Sequence, residues 1–287
     1  MTEDTMKANY LLLLILFGVV LSSSAQEIKV LTWNVFLRPA FLHDSQMDRV
    51  DSIANHLMVN DYDVLALQEV FHKKARKQLV QKLDSCFPYH LDPGKIGLFK
   101  INSGLMLFSK YPIAKSGHSF FDNLKAADGL SSKGVQWASI IVEDDTILVA
   151  NTHLQAGTDE KFQEVRNVQY EKASAALKNF HNSISCILLG DLNTDKNDNN
   201  RFTIMLSKLS FEDGEIENQE MGSANLANHE LYPAEKGGAQ LLDYILLRNN
   251  SFNCSVGTRT IKCFKSIWNG KFTNLSDHNA VEAIITL

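Results

Sequence analysis

Four cysteines in 287 residues, none of them in a C-x-x-C pair, leave a zinc ribbon or a thioredoxin-type redox site without support. The formal net charge is −5, and no basic stripe dominates the chain. Proteins that bind nucleic acid neutralise phosphates with such a stripe, so neither DNA nor RNA is the expected partner. There is no Gly-x-Ser-x-Gly elbow, no P-loop, no His-Glu-x-x-His and no dinucleotide fingerprint. Neither an internal repeat nor a Pro/Gly/Ser-rich linker divides the chain. The unbroken apolar run Leu11 to Leu21 is too short to span a bilayer, which takes about 20 residues. Lys7 precedes that run and Ser22 to Ala25 follow it, the arrangement of a signal peptide. The expectation is therefore a leader over 1–25, cleaved near Ala25, and one secreted catalytic domain over 26–287.

What is present alternates. Short runs rich in Val, Ile and Leu read as strands at Ile28 to Phe36, Val64 to Gln68, Leu105 to Phe108, Val135 to Val142, Thr146 to Thr152, Ile187 to Leu189, Tyr244 to Leu247 and Ala280 to Thr286. Helical spacing of apolar residues marks Gln46 to Val59, Lys73 to Asp84 and a longer stretch from Phe162 to Phe180. Asp144-Asp145 reads as a hairpin turn. Asn193 to Asn200 reads as a surface loop. Neighbouring strands with no helix between them rule out a purely parallel doubly wound sheet. They predict an α/β protein of two packed sheets with helices outside.

Chemistry concentrates at strand ends. Asn34, Glu69 and His153 close three strands, Asp191 and Asn193 follow a fourth, Asp243 opens a fifth, and Asp277 with His278 precedes the last. Packed sheets can gather such ends in one cleft. Carboxylate and amide oxygens without thiolate suit a hard cation such as Mg²⁺ or Mn²⁺. Two imidazoles add proton transfer or charge stabilisation, and together these parts suit phosphoryl transfer.

The segments TWNVF, LQEV, NTHLQ, GDLN, LDYIL and SDHNAV resemble the motifs of the endonuclease/exonuclease/phosphatase superfamily from about Ile28 to Thr286. Three stretches, NTHLQA, GLMLFSKYPI and ADGLSSKGV, are similar to those of secreted bacterial and animal neutral sphingomyelinases. This resemblance implies a four-layer sandwich of two mixed β-sheets flanked by helices. It also implies Mg²⁺-dependent hydrolysis of membrane sphingomyelin to ceramide and phosphocholine, with Mn²⁺ or Co²⁺ able to substitute. Glu69 would be the main metal ligand, with Asn34 and Asp277 near the ion. Asp191 and Asn193 would position water and phosphate. His278, oriented by Asp243, would be the general base or its proton partner, and His153 would bond a phosphoryl oxygen. Asp128 and Lys133 match a substrate loop beside the site. Lys73 stands where some bacterial members carry an Asn for a second metal. Ile267 and Trp268 precede an Asn269-Gly270 turn, and both are expected at a hairpin tip in peripheral contact with the membrane. Cys254 and Cys263 are the expected bridge, although spacing alone does not fix connectivity. The chain is expected to act as a monomer. The competing reading is a secreted Mg²⁺-dependent endonuclease of the same superfamily.

Overall fold

A computed structural model describes residues 26–178, 180, 184–225, 238–249 and 254–287; the expected leader lies outside them. The chain begins with β1 (Glu27–Asn34), α1 (Gln46–Val59), β2 (Val64–Gln68), α2 (Lys73–Leu83), β3 (Tyr89–Leu91) and β4 (Met106–Ser109). It continues through β5 (Ile113–Phe120), β6 (Gly134–Val142), β7 (Asp145–His153), α3 (Glu160–Lys178), β8 (Cys186–Asp191) and α4 (Asn199–Leu209). The remaining strands are β9 (Ile216–Glu217), β10 (Asp243–Arg248), β11 (Ser255–Val256), β12 (Arg259–Lys262), β13 (Lys265–Trp268), β14 (Lys271–Asn274) and β15 (Ala280–Thr286).

The first sheet runs β3-β4-β2-β1-β15-β12-β9, with β11 also on β15; the second runs β10-β8-β7-β6-β5. Both are mixed: β1 is parallel to β2 but antiparallel to β15, and β8 is parallel to β7 but antiparallel to β10. The period of two along β1 explains the layering. Ile28 and Val30 face the second sheet and pack with Val149, Ile187 and Ile245. Leu31 and Trp33 face the other way, toward Val50, Ile53 and Leu57 of α1 and Leu79 of α2. The outer face of the second sheet, with Leu148, Leu188 and Leu246, is covered by Tyr170 and Leu177 of α3 and Met205 and Leu209 of α4. Each such side chain contributes about 1.5–3 kcal/mol by leaving water. The result is the expected sandwich of helices, sheet, sheet and helices.

The two sheets are also joined by side-chain amides. Gln68 Nε2 donates to Asn151 Oδ1 at 2.8 Å, and Asn151 Nδ2 donates to the carbonyls of Leu67 and Met106, each at 3.0 Å. These buried bonds lie one or two residues below Glu69 and His153 and fix one sheet's register against the other.

Two expectations are corrected here. The β13–β14 hairpin forms, with Asn269 and Gly270 both at positive φ as a two-residue type I′ turn requires. But Ile267 and Trp268 are successive strand residues, so they point to opposite faces. Ile267 is 72 % exposed beside its cross-strand neighbour Phe272 at 70 %, while Trp268 is buried against the core of α1 and gives its indole N–H to the Asn274 carbonyl at 3.0 Å. Trp268→Ser should therefore cost about 3–5 kcal/mol of stability in urea unfolding, and Ile267→Ser less than about 0.5 kcal/mol. Equal effects would mean that the alternation is wrong.

The second correction is the bridge: Cys254 and Cys263 are both free thiols. Their neighbours Ser255 and Lys262 pair with Thr286 and Ala280, at opposite ends of β15. At about 3.4 Å per residue that separation is far beyond the roughly 7 Å Cα limit for a disulfide.

Candidate active site

Strand register assembles the site. Across the second sheet Asp191 is opposite His153 on one side and Asp243 on the other. Three adjacent strands thus end in one row of an imidazole and two carboxylates. Gly190 permits this row, because a Cβ there would fall 2.1 Å from the Thr152 carbonyl oxygen. From the first sheet β1 and β2, parallel and in register, deliver Asn34 and Glu69. The turn before β15 delivers Asp277 and His278. Asn193, at φ 50°, closes the turn after β8 by giving its side-chain amide to the Leu154 carbonyl at 3.2 Å.

These groups touch. Asn34 Nδ2 donates to Asp191 Oδ2 at 3.1 Å and to Glu69 Oε1 at 3.3 Å. His278 Nδ1 lies 2.8 Å from Asp243 Oδ2, and its Nε2 lies 3.7 Å from Asp191 Oδ2. His153 Nε2 is 3.4 Å from the same Asp191 oxygen. Asp191 Oδ1 accepts from the Asn193 backbone N–H at 3.0 Å. Glu69, His153, Asp191, Asn193, Asp277 and His278 line a cavity of about 420 Å³ that extends toward Arg166 and Arg201.

The electrostatics follow from four carboxyl groups packed around His278: Asp191 and Asp243 are buried, Glu69 and Asp277 partly so. Burial, reinforced by the charge of Asp277, pushes Glu69 up to about 7. Burial also pushes Asp191 up to about 6 and raises Asp277. Burial works against the charge of His278, but Asp243, Asp191 and Asp277 together hold its pKa well above the ordinary histidine value. His153 goes the other way: burial, then the positive charges of Lys133 and His278, hold it well below that value, so it is neutral.

The donor set fits a hard cation. Glu69 Oε2 is buried with no hydrogen-bond partner in the protein, and the residue sits at φ 57°, a conformation seldom adopted without glycine. Asp191, Asp243 and His278 also bring one ligand atom each within 4.8 Å of one another. In that trio, however, His278 Nδ1 and Asp243 Oδ2 already satisfy each other. Asp243 Oδ1, like Glu69 Oε2, is buried with no hydrogen-bond partner in the protein, so both ends of the site offer an unpaired carboxylate oxygen.

Asp128 and Lys133, expected in a loop beside the site, form an ion pair. Lys133 is buried, its Nζ 2.9 Å from Asp128 Oδ1 and 2.7 Å from the Leu154 carbonyl, while Asp128 Oδ2 accepts from the Ala156 N–H at 2.8 Å. The pair braces the segment that follows His153. A second brace was not read from the sequence. Arg49 of α1 is fully buried and donates to the carbonyls of Val35, Phe36 and Leu275, tying the turn after Asn34 to the turn that carries Asp277. Its signal was present: Arg49 lies four residues before Ile53, on the buried face of the helix.

The chain belongs to the Endonuclease/Exonuclease/phosphatase family, whose sequence pattern matches residues 31–278. It is 29% identical over 221 residues to Sphingomyelinase C 2 of Leptospira interrogans, a match covering 66% of this chain and 34% of that protein. The chain thus spans about a third of that relative's length. It is 25% identical over 299 residues to Sphingomyelinase C of Bacillus cereus, covering 91% of this chain and 89% of the other. The fold matches a crystal structure of Staphylococcus aureus beta toxin, a double mutant with bound magnesium ions, at a TM-score of 0.79 and 20% identity. That match covers 90% of this chain and 99% of the other.

Proposed function

We propose that this chain is an exported, Mg²⁺-dependent phosphodiesterase that hydrolyses sphingomyelin to ceramide and phosphocholine. The observation that carries the chemistry is the hydrogen-bonded His278–Asp243 pair, opposed across one cavity to a buried Glu69 oxygen with no partner. The choice of lipid is supported by the sphingomyelinase relatives.

Glu69, with Asn34 and Asp277 beside it, would hold the cation. When bound, the cation supplies positive charge against the non-bridging phosphate oxygens, against the departing alkoxide and against the proton on His278 that the surrounding carboxylates retain. The remaining parts are the protein's own. Asp243 fixes Nδ1 of His278, which leaves Nε2 directed toward Asp191. Water held by Asp191 and Asn193 attacks phosphorus in line and passes its proton to that nitrogen, while the bond from phosphorus to the ceramide oxygen breaks and the leaving alkoxide takes a proton from solvent. Neutral His153 carries one N–H, and its Nε2, 3.4 Å from Asp191 Oδ2, faces the cavity and bonds a phosphoryl oxygen. Lys133 and Arg49 position these residues without touching the substrate. Ile267, with Phe272 replacing Trp268 as its companion, offers the hairpin contact to the bilayer.

The test is headgroup release from sphingomyelin vesicles beside nicking of plasmid DNA, both in Mg²⁺. Phosphocholine release with intact plasmid is expected. The reverse would establish the endonuclease reading.

A further inference from the structure

The most exposed large apolar side chains among the described residues belong neither to the hairpin nor to the cavity. Leu98 is 88 % exposed and Phe99 99 %. They sit at the tip of the loop 94–103. Water around two such side chains is a standing cost, unless they meet something apolar.

The loop's base is held firmly. The Ser103 N–H donates to the Gly94 carbonyl at 2.7 Å, bringing the two ends together. The Ser132 hydroxyl donates to the Ile101 carbonyl at 2.7 Å and accepts from the Ile96 N–H at 3.1 Å. The Ile101 N–H reaches the carbonyl of Leu130, another exposed apolar residue. This closed form is that of an Ω-loop. At the tip, a Cβ added to Gly97 would meet nothing within 4 Å, so no part of the protein covers it.

The loop also stands on the catalytic rim. Gly104, just after it, accepts from the N–H of Val70 at 2.8 Å, the residue following Glu69. Ser132 precedes Lys133, the brace of the His153 segment. In the first sheet β4 lies on one side of β2 and β1 and β15 on the other, and the separate β13–β14 hairpin connects β12 to the start of β15. The loop and the hairpin therefore flank the strand ends that carry Glu69 and Asn34.

Charge completes the picture. Lys95 and Lys100 bracket the apolar tip. Lys73, Lys74 and Lys77 are exposed on α2, and Arg76 of the same helix lies 3.8 Å from Asp92 at the loop's entrance. On a chain of net charge −5, this is a local basic margin.

We infer that loop 94–103 is a lipid-docking element that inserts Leu98 and Phe99 among the headgroups and first acyl carbons of an anionic leaflet, while the surrounding lysines face lipid phosphates. An apolar tip with a basic border is the pairing that interfacial binding uses, each part adding to the other. The lysines alone would suit nucleic acid equally, but two uncovered aliphatic and aromatic side chains favour a bilayer. Together with the hairpin, the loop gives contacts on two sides of the cleft and so sets its angle to the membrane. The inference deepens the lipid reading above and rests on it for its biological setting.

The test separates the two. Binding of the full chain is measured by co-sedimentation with phosphatidylcholine–phosphatidylserine vesicles that contain no sphingomyelin, so no turnover is needed. The Leu98→Ser/Phe99→Ser double variant should bind about tenfold or more weakly, with its thermal midpoint and its rate on a soluble chromogenic phosphodiester unchanged. Phe99→Trp should retain binding and gain a blue-shifted emission component with vesicles that the wild type lacks. Unchanged vesicle binding by the double variant, or no emission change for Phe99→Trp, overturns the inference. So does a double variant that loses plasmid binding or self-association while vesicle binding is kept. Failure of sphingomyelin hydrolysis with vesicle binding intact would remove the enzymatic reading and leave the docking loop standing.

Discussion

His278→Ala should lower kcat on sphingomyelin by about two to four decades with little change in KM, the scale of a lost general acid–base group. Nδ1 of the ring is engaged by Asp243 at 2.8 Å, and among the described residues Nε2 faces a carboxylate oxygen of Asp191 at 3.7 Å. That leaves Nε2 free for a proton in transit. Three acidic neighbours raise the proton affinity of the ring, so in the ion-free protein it rests as an imidazolium, and it would serve as the acceptor once a bound cation offsets those carboxylates. Asp243→Asn keeps the shape and removes one of those charges, so it should slow turnover less than His278→Ala does. His153→Ala should cost about a hundredfold, the scale of losing one transition-state hydrogen bond. Single-turnover rates on micellar sphingomyelin would separate these steps from product release. Near-native turnover in His278→Ala would move the base to Asp191, whose pKa of about 6 suits the task.

Much of this arrangement can be read from the chain, and the reasons are physical. Buried strands such as Val64–Gln68 and Ala280–Thr286 appear at their predicted bounds because their apolar runs are short and end in polar residues. Helix Gln46–Val59 appears at its predicted bounds because its apolar stripe is continuous. The edge strand Ile113–Phe120 was not anticipated: it is half exposed along its length and carries Lys115, Ser116 and His118 where a core strand would alternate apolar residues. Helix Asn199–Leu209 was not anticipated, and its first two residues fall in the stretch Asn193 to Asn200 that read as a surface loop, although Asp198 caps its first turn by accepting from the Arg201 N–H, and Met205 and Leu209 share its buried face. The β6–β7 turn falls on Glu143-Asp144, one residue earlier than the acidic pair suggested, since Val142 pairs directly with Asp145. At the site, every strand-end residue converges as the motifs imply. What periodicity could not supply was the side-chain direction at the hairpin tip and the long-range bracing by Arg49, Lys133 and the Gln68–Asn151 amides. Those depend on which carbonyls come to face each other only after the sheets have packed.

Glu69→Gln should reduce Mg²⁺-supported turnover by about a thousandfold, the scale of several kcal/mol of transition-state charge stabilisation. It should also reveal itself without any substrate. Burial first, and then the charge of Asp277, place the Glu69 carboxyl at about 7 in the ion-free protein, above its ordinary value of 4.5. The folded state therefore binds a proton there more tightly than the unfolded chain does. The stability that this proton contributes is fully present below about pH 4.5 and is lost as the pH rises through about 7. Above that point the ion-free protein must carry a buried anion whose Oε2 has no partner. A divalent cation competes with the proton for that oxygen, so its stabilisation grows over the same interval. The thermal midpoint in saturating Mg²⁺ should exceed that in chelator by several degrees at pH 8, on the order of 3 kcal/mol of linked binding at a hundredfold excess over Kd. At pH 5 the two midpoints should nearly coincide. Gln at this position is neutral and of the same shape. Glu69→Gln should therefore melt higher than the wild type in chelator at pH 8 and gain nothing from Mg²⁺ at either pH. A wild-type midpoint that responds equally to Mg²⁺ at both pH values, or a variant that still responds, would place the ion away from Glu69. The Asp191, Asp243 and His278 trio would then be the remaining seat among the described residues.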